Sequence, residues 1–328
     1  MKDPFRAALV ALPDQLDAAP SVLGGDLPPG GRFLVGGVGG SAAAGDFLDL
    51  LLGSDRETRV LRDAVLPARP RSDDRLIVLS YSGGTEESLS LWREAARCGM
   101  PRGAVGSGGT LLEWAREEGC PRVVLPAGLA PRTALGHLLR GAAALVGEAG
   151  ADWESAARHL RAVRDRAESP EGPAGGVGRV LSVSLPVILC GDPESLAAAR
   201  RWAASLAENA KVSALIWSLP EAAHNLIMAA GQGAPRRGEL ALVALGEPRR
   251  TDARRRWEAV LESLAEHGTK PLLAEEPHPE PWVHALGLAY FGDWVSVHLA
   301  ECLGVDPAPL LLMDEVKRRL ASGKESAS

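Results

Sequence analysis

The sequence predicts an α/β fold of two doubly wound halves, with mostly parallel sheets flanked by helices. Three observations carry this. Short apolar runs alternate with segments of helical pattern, the signature of βαβ units and a parallel sheet. Two of the run-to-helix junctions are rich in glycine and hydroxyls: Gly36-Gly37-Val38-Gly39-Gly40-Ser41 and Ser80-Tyr81-Ser82-Gly83-Gly84-Thr85. The alternation then starts again beyond a Pro- and Gly-rich stretch at Ser169–Gly178.

The elements follow in order. Arg32–Val35 reads as a strand and Ser41–Leu52 as a helix. Leu76–Tyr81 is the next strand and Thr85–Cys98 the next helix. Thr85 is placed to cap that helix, with Glu86 and Glu87 in its first turn, where the helix dipole favours acids. Gly103–Val105 and Val123–Leu125 read as strands on either side of a helix at Leu111–Glu118. Arg132–Val146 and Trp153–Ala167 read as helices, and Ser169–Gly178 as a linker or exposed loop. In the second half, Val187–Cys190, Leu240–Leu245 and Pro271–Ala274 are strands. A long helix runs from Pro193 through Ala207, and another covers Arg254–His267. Trp282–Leu303 is an apolar helix and Ala308–Leu320 a terminal one, ahead of a polar tail at Ser322–Ser328. Two domains follow, 1–152 and 153–328.

Composition narrows the class. The chain has 328 residues, 46% hydrophobic and 24% charged, as in soluble globular proteins. A net charge of −6 gives no field that would draw in nucleic acid or an anionic membrane. No apolar run reaches the roughly 20 residues of a membrane span, and Met1–Arg6 lacks a signal-peptide core. Four cysteines (Cys98, Cys120, Cys190 and Cys302) lie far apart without a CxxC pair. That points away from structural zinc and toward a reducing, cytoplasmic setting, with the thiols expected to be buried. Only five of the 36 basic residues are lysines. Lys211 and Lys317 therefore stand out, since ammonium and guanidinium are not interchangeable.

The two glycine turns carry the chemistry. Each follows a buried strand and opens a helix, presenting backbone N–H groups, hydroxyls and a helix N-terminus to one small anion, for which phosphate is the best fit. Neither has the Gly-Lys-Ser/Thr of a nucleotide P-loop. Residues 37–42 also fit the GxGxxG/A dinucleotide fingerprint. That reading wants an acid ending the next strand, and Asp55, Glu57 and Asp63 do not clearly do so.

Further motifs make the pattern specific. Gly-Val-Gly-Gly-Ser-Ala (37–42) and Ser-Tyr-Ser-Gly-Gly-Thr-Glu-Glu (80–87) resemble the two phosphate loops of the sugar isomerase (SIS) domain. Pro131-Arg132 with Leu135-Gly136, Glu208-Asn209-Ala210-Lys211, Pro220-Glu221-Ala222-Ala223-His224-Asn225 and Asp314-Glu315-Val316-Lys317 resemble motifs of the bifunctional phosphoglucose/phosphomannose isomerase family, in its order. The resemblance implies two flavodoxin-like SIS domains and a phosphosugar substrate. It implies interconversion of fructose 6-phosphate with glucose 6-phosphate and mannose 6-phosphate, a place in glycolysis and gluconeogenesis, and a homodimer. Gly40, Ser41, Ser80, Ser82 and Thr85 would hold the phosphate. Glu208 would move the proton between C1 and C2, and Arg132 would stabilise the enediolate. His224, reaching the site across the dimer interface, would open the sugar ring with help from Lys317. Two departures are Gly84, where the family usually has asparagine, and Leu226, where a glutamate commonly follows Asn225.

The chemistry suits these residue types. Aldose–ketose isomerisation needs a carboxylate to abstract a proton next to a carbonyl, a fixed cation for the enediolate, and an acid/base near neutral pH for ring opening. It requires neither metal nor cofactor, and no His/Cys/Asp cluster suggests one. A non-catalytic sugar-phosphate-binding SIS module and an isomerase of another phosphosugar would share the phosphate loops, and the residues leave both open. The other six histidines fit no motif and are expected to be structural or at the surface.

Overall fold

The computed structural model describes residues 4–148 and 151–325. Two short helices, α1 (Pro4–Val10) and α2 (Leu12–Asp17), precede a two-residue strand β1 (Val22–Leu23). Then come β2 (Arg32–Gly36), α3 (Gly40–Leu52), β3 (Glu57–Leu61), β4 (Asp74–Leu79), α4 (Glu86–Arg97), β5 (Arg102–Gly106), α5 (Gly109–Glu117), β6 (Arg122–Val124) and α6 (Leu135–Leu145). Helices α7 (Trp153–Ala167) and α8 (Pro173–Leu181) lead into β7 (Leu185–Cys190), α9 (Pro193–Ser205), β8 (Leu215–Ser218), β9 (Leu240–Leu245), α10 (Thr251–Glu266), β10 (Leu272–Ala274), α11 (Pro281–Leu303) and α12 (Leu311–Glu325).

The strands form a six-stranded sheet, ordered β1-β6-β5-β4-β2-β3, and a four-stranded one, ordered β10-β9-β7-β8. Every pairing is parallel except β1 with β6. All five residues of β2 are buried, as a strand covered on both faces requires. Strand order reverses between β2 and β4, so a crevice opens beyond their carboxyl ends. Both glycine turns emerge there.

Helix α11 joins the halves. It is buried from Trp282 through Ala300 and packs on α7, α8, α9 and α3. Its environment explains its all-round apolar character. No helix among the described residues is long and apolar enough to cross a membrane.

Several sequence expectations are corrected. The expected linker at Ser169–Gly178 contains the start of α8, because Pro173 sits in the first turn and the glycines let the helix approach α11. A methyl on Gly178 would lie 3.0 Å from the Leu299 nitrogen. The expected helix at Arg132–Val146 is interrupted at Ala134: Pro131–Thr133 is a separate 3₁₀ turn. Helix α12 starts at Leu311, after Pro307 and Pro309, and runs through the expected polar tail to Glu325; residues 326–328 lie outside the described residues. Only Cys190 is buried, and Cys98 and Cys302 are exposed, being on or next to outward faces of α4 and α11. Helices α1 and α2 and strands β1, β3 and β8 had no sequence expectation.

Candidate active site

The first glycine turn ends in α3. Ser41 is buried in its first turn, and Gly40 lies against the Pro131–Arg132 backbone. The second turn is folded back on the loop after β5. Gly83 has φ of +66°, and a methyl there would stand 1.8 Å from the Gly108 carbonyl oxygen, so only glycine fits. Thr85 occupies the N-cap position of α4 but makes no capping bond. Its hydroxyl instead meets that of buried Ser80 at 3.0 Å. Ser82 is exposed, and its hydroxyl accepts from the Gly84 N–H at 3.5 Å. Val38, Ser82, Gly84 and Thr85 line a cavity of about 660 Å³, closed on the other side by Met313 and Lys317 of α12.

The carboxylate lines a neighbouring cavity at the start of that helix. After Ser205, α9 widens into one π turn, Leu206–Ala210, which carries Glu208. Such turns recur at functional sites because they shift one side chain out of helical register. The turn ends at Lys211, whose φ of +59° is the sole positive value among the described non-glycine residues. Glu208 and Lys211 line a cavity of about 560 Å³ walled by residues 309–313. This cavity and the phosphate-loop cavity adjoin at Met313.

Arg132 binds the halves together at this point. Its side chain is 5% exposed and lies 3.8 Å from the Glu208 carboxylate. Nε donates to Asn209 Oδ1, and Nη2 donates to the carbonyls of Pro307 and Ala308, each at 2.9 Å. The guanidinium also stacks over Phe5. Nη1 has no hydrogen-bond partner among the described residues. Burial pulls the Arg132 pKa down from its ordinary value, and the nearby Glu208 charge opposes this; the group stays cationic at any physiological pH.

A buried polar chain supports it. Asn209 donates to Ser296 Oγ at 2.9 Å, and Ser296 donates to the Asp293 carbonyl at 2.6 Å. Arg201 forms a buried fork with Asp293 and donates to the Arg132 carbonyl. Sequence reasoning missed this chain. Its signal was Asp293, a carboxylate inside an otherwise apolar helix, which needs buried partners.

The predicted residues thus fall into two groups. Ser82, Thr85 and Lys317 share one cavity, with Ser80 bonded to Thr85; Glu208 lines the adjoining one, with Arg132 beside it. His224 is exposed on a 3₁₀ turn and lines neither. Among the described residues no group of acids, histidines or cysteines could hold a metal ion.

A protein of Aquifex aeolicus, a bifunctional phosphoglucose/phosphomannose isomerase, is 30% identical over 90% of this chain and 92% of its own. The chain belongs to the bifunctional phosphoglucose/phosphomannose isomerase family. A family model, the bacterial phospho-glucose isomerase C-terminal SIS domain, matches residues 171–320, the half of this family member that carries Glu208, His224 and Lys317. Two solved structures from Thermus thermophilus share its fold. One, a hypothetical protein, superposes with a TM-score of 0.72 at 18% identity, covering 98% of this chain and 91% of its own. The other, a glucose-6-phosphate isomerase like protein, gives 0.63 at 20%, covering 94% and 93%.

Proposed function

We propose that the protein is an aldose–ketose isomerase that interconverts fructose 6-phosphate with glucose 6-phosphate and mannose 6-phosphate. The observation that carries this is the Arg132–Glu208 pair, 3.8 Å apart, beside a cavity that adjoins the hydroxyl-lined phosphate loops. On this reading the chain divides into units 1–152 and 153–328, each built around one sheet. The substrate phosphate rests on Gly40, Ser41, Ser80, Ser82 and Thr85, and the open-chain sugar reaches toward Glu208. Glu208 takes the proton from one carbon and returns it to its neighbour. Nη1 of Arg132, unpaired within the described residues, meets the enediolate oxygen. The enediolate is planar at C2, so returning the proton to one face gives the glucose epimer and to the other the mannose epimer.

His224 serves ring opening only if a second copy brings it to the site, so the working form on this reading is a homodimer in the cytoplasm. Exposed Leu226 and Met228 beside His224, 39% and 75% accessible, are apolar surface of the kind an interface covers. Lys317, on the phosphate-loop side of α12, assists at the phosphate end.

A coupled assay with each aldose 6-phosphate tests this. Turnover of both is expected, and Glu208→Gln should lower kcat by about 10²–10⁴-fold. Wild-type turnover in that variant would overturn the assigned base.

A further inference from the structure

A second cavity, of about 310 Å³, lies beyond the carboxyl end of β6, between the Ala18–Leu23 segment and α6. Arg140 and His137, one turn apart on α6, both line it. Arg140 is 7% exposed. Its Nε donates to the Ala18 carbonyl at 2.8 Å, and its plane stacks on Trp153 at 4.5 Å. These contacts fix the guanidinium but leave both terminal amino groups without a hydrogen-bond partner among the described residues. The imidazole nitrogens of half-buried His137 have none either. The acid acting on Arg140 is Asp17, already held by Arg161. The opposite wall is apolar, with Leu23 and Val124 exposed at 42% and 52%.

We propose that this cavity binds a small organic carboxylate, its head on the Arg140 fork and His137 and its apolar body on Leu23 and Val124. The free edge of a guanidinium matches a carboxylate in two parallel bonds. Apolar walls facing a single cationic head favour an amphiphilic acid over a bare, strongly hydrated phosphate. The site is separate from the phosphate loops, and it does not rest on the proposed isomerase activity.

Benzoate is a suitable probe for the full-length protein by titration calorimetry, with 4-bromobenzoate soaked into crystals to locate it. One benzoate per chain is expected, with bromine beside Arg140. His137→Leu should weaken binding about tenfold, and Arg140→Met more than that. His137→Leu keeps the test decisive if loss of the Arg140–Trp153 stack prevents folding. No binding by the wild type, equal affinity in His137→Leu, or bromine elsewhere only would overturn the proposal.

Discussion

Arg132 and Asn209, 77 positions apart in the chain, meet through a 2.9 Å hydrogen bond at the junction of the two halves. Asn209 thereby fixes Nε of the cation that sits beside Glu208, and Ser296 fixes Asn209 in turn. Removing the amide leaves the guanidinium stacked on Phe5 and bonded to Pro307 and Ala308, but with Nε no longer fixed, so its aim at Glu208 loosens. Asn209→Ala should therefore lower kcat by about 10-fold to 100-fold while KM changes little, since a misaimed cation costs transition-state rather than ground-state binding. Steady-state kinetics on glucose 6-phosphate check this. Arg132→Lys, which loses the planar fork, should fall further in kcat.

Lys211 gives a stability prediction. Its αL backbone is unfavourable for a side chain-bearing residue, and its ammonium offsets this by donating to the carbonyls of Glu208 at 2.6 Å and Asp306 at 3.3 Å. Lys211→Ala keeps the strain and loses the tie; Lys211→Gly loses the tie and removes the strain. The alanine variant should thus be the less stable by about 1 kcal/mol. Denaturant midpoints of the two variants measure the difference, and equal midpoints would contradict it.

Opposed titrations near α7 give a pH prediction. Burial raises Glu276 to about 7 despite its ion pair with Arg166, and burial lowers His159 to about 4. Glu276 binds its proton more tightly folded than unfolded, so its contribution is complete below its ordinary value near 4.5 and is lost as pH rises through about 7. His159 does the reverse: its contribution is complete above its ordinary 6.5 and is lost as pH falls toward about 4. The two slopes oppose between these limits. Glu276→Gln should remove the falling limb, so its Tm relative to wild type should rise from pH 5 to pH 8. Thermal scans across that range test the sign.

Much of this architecture is legible in the sequence for identifiable reasons. Strands β2, β4 and β7 read clearly because burial on both faces makes them continuous apolar runs. Turn chemistry alone brings the Ser80 and Thr85 hydroxyls together in one turn at the end of β4. What stays hidden depends on distant partners. Nothing local marks β3, Glu-Thr-Arg-Val-Leu, which pairs because β2 offers an edge, whereas the short apolar run Leu215-Ile216-Trp217 of β8 is a strand signal that sequence reasoning missed. The glycines of α8 look like a flexible stretch until α11 packs against them. Thr85 looks like a helix cap, yet its hydroxyl is taken by Ser80. That Asn209 holds Arg132 follows only from knowing that two segments 77 residues apart converge.

His224 supplies the last prediction. It is exposed and lines neither of the cavities beside Glu208 and the phosphate loops. If one subunit contributes Glu208 and the other His224 to each site, the two defects are separable by mixing. Glu208→Gln and His224→Ala should each be nearly inactive as homodimers. Coexpressed, half of the dimers formed at random carry one of each chain, and each such dimer holds one site with both residues intact. Activity should return to about one quarter of wild type, one good site in two for half of the dimers. Purifying the mixed dimer by two different affinity tags should raise this to about half. Mixed dimers as inactive as the parents would mean that Glu208 and His224 act within the same chain, and the interface reading would fail.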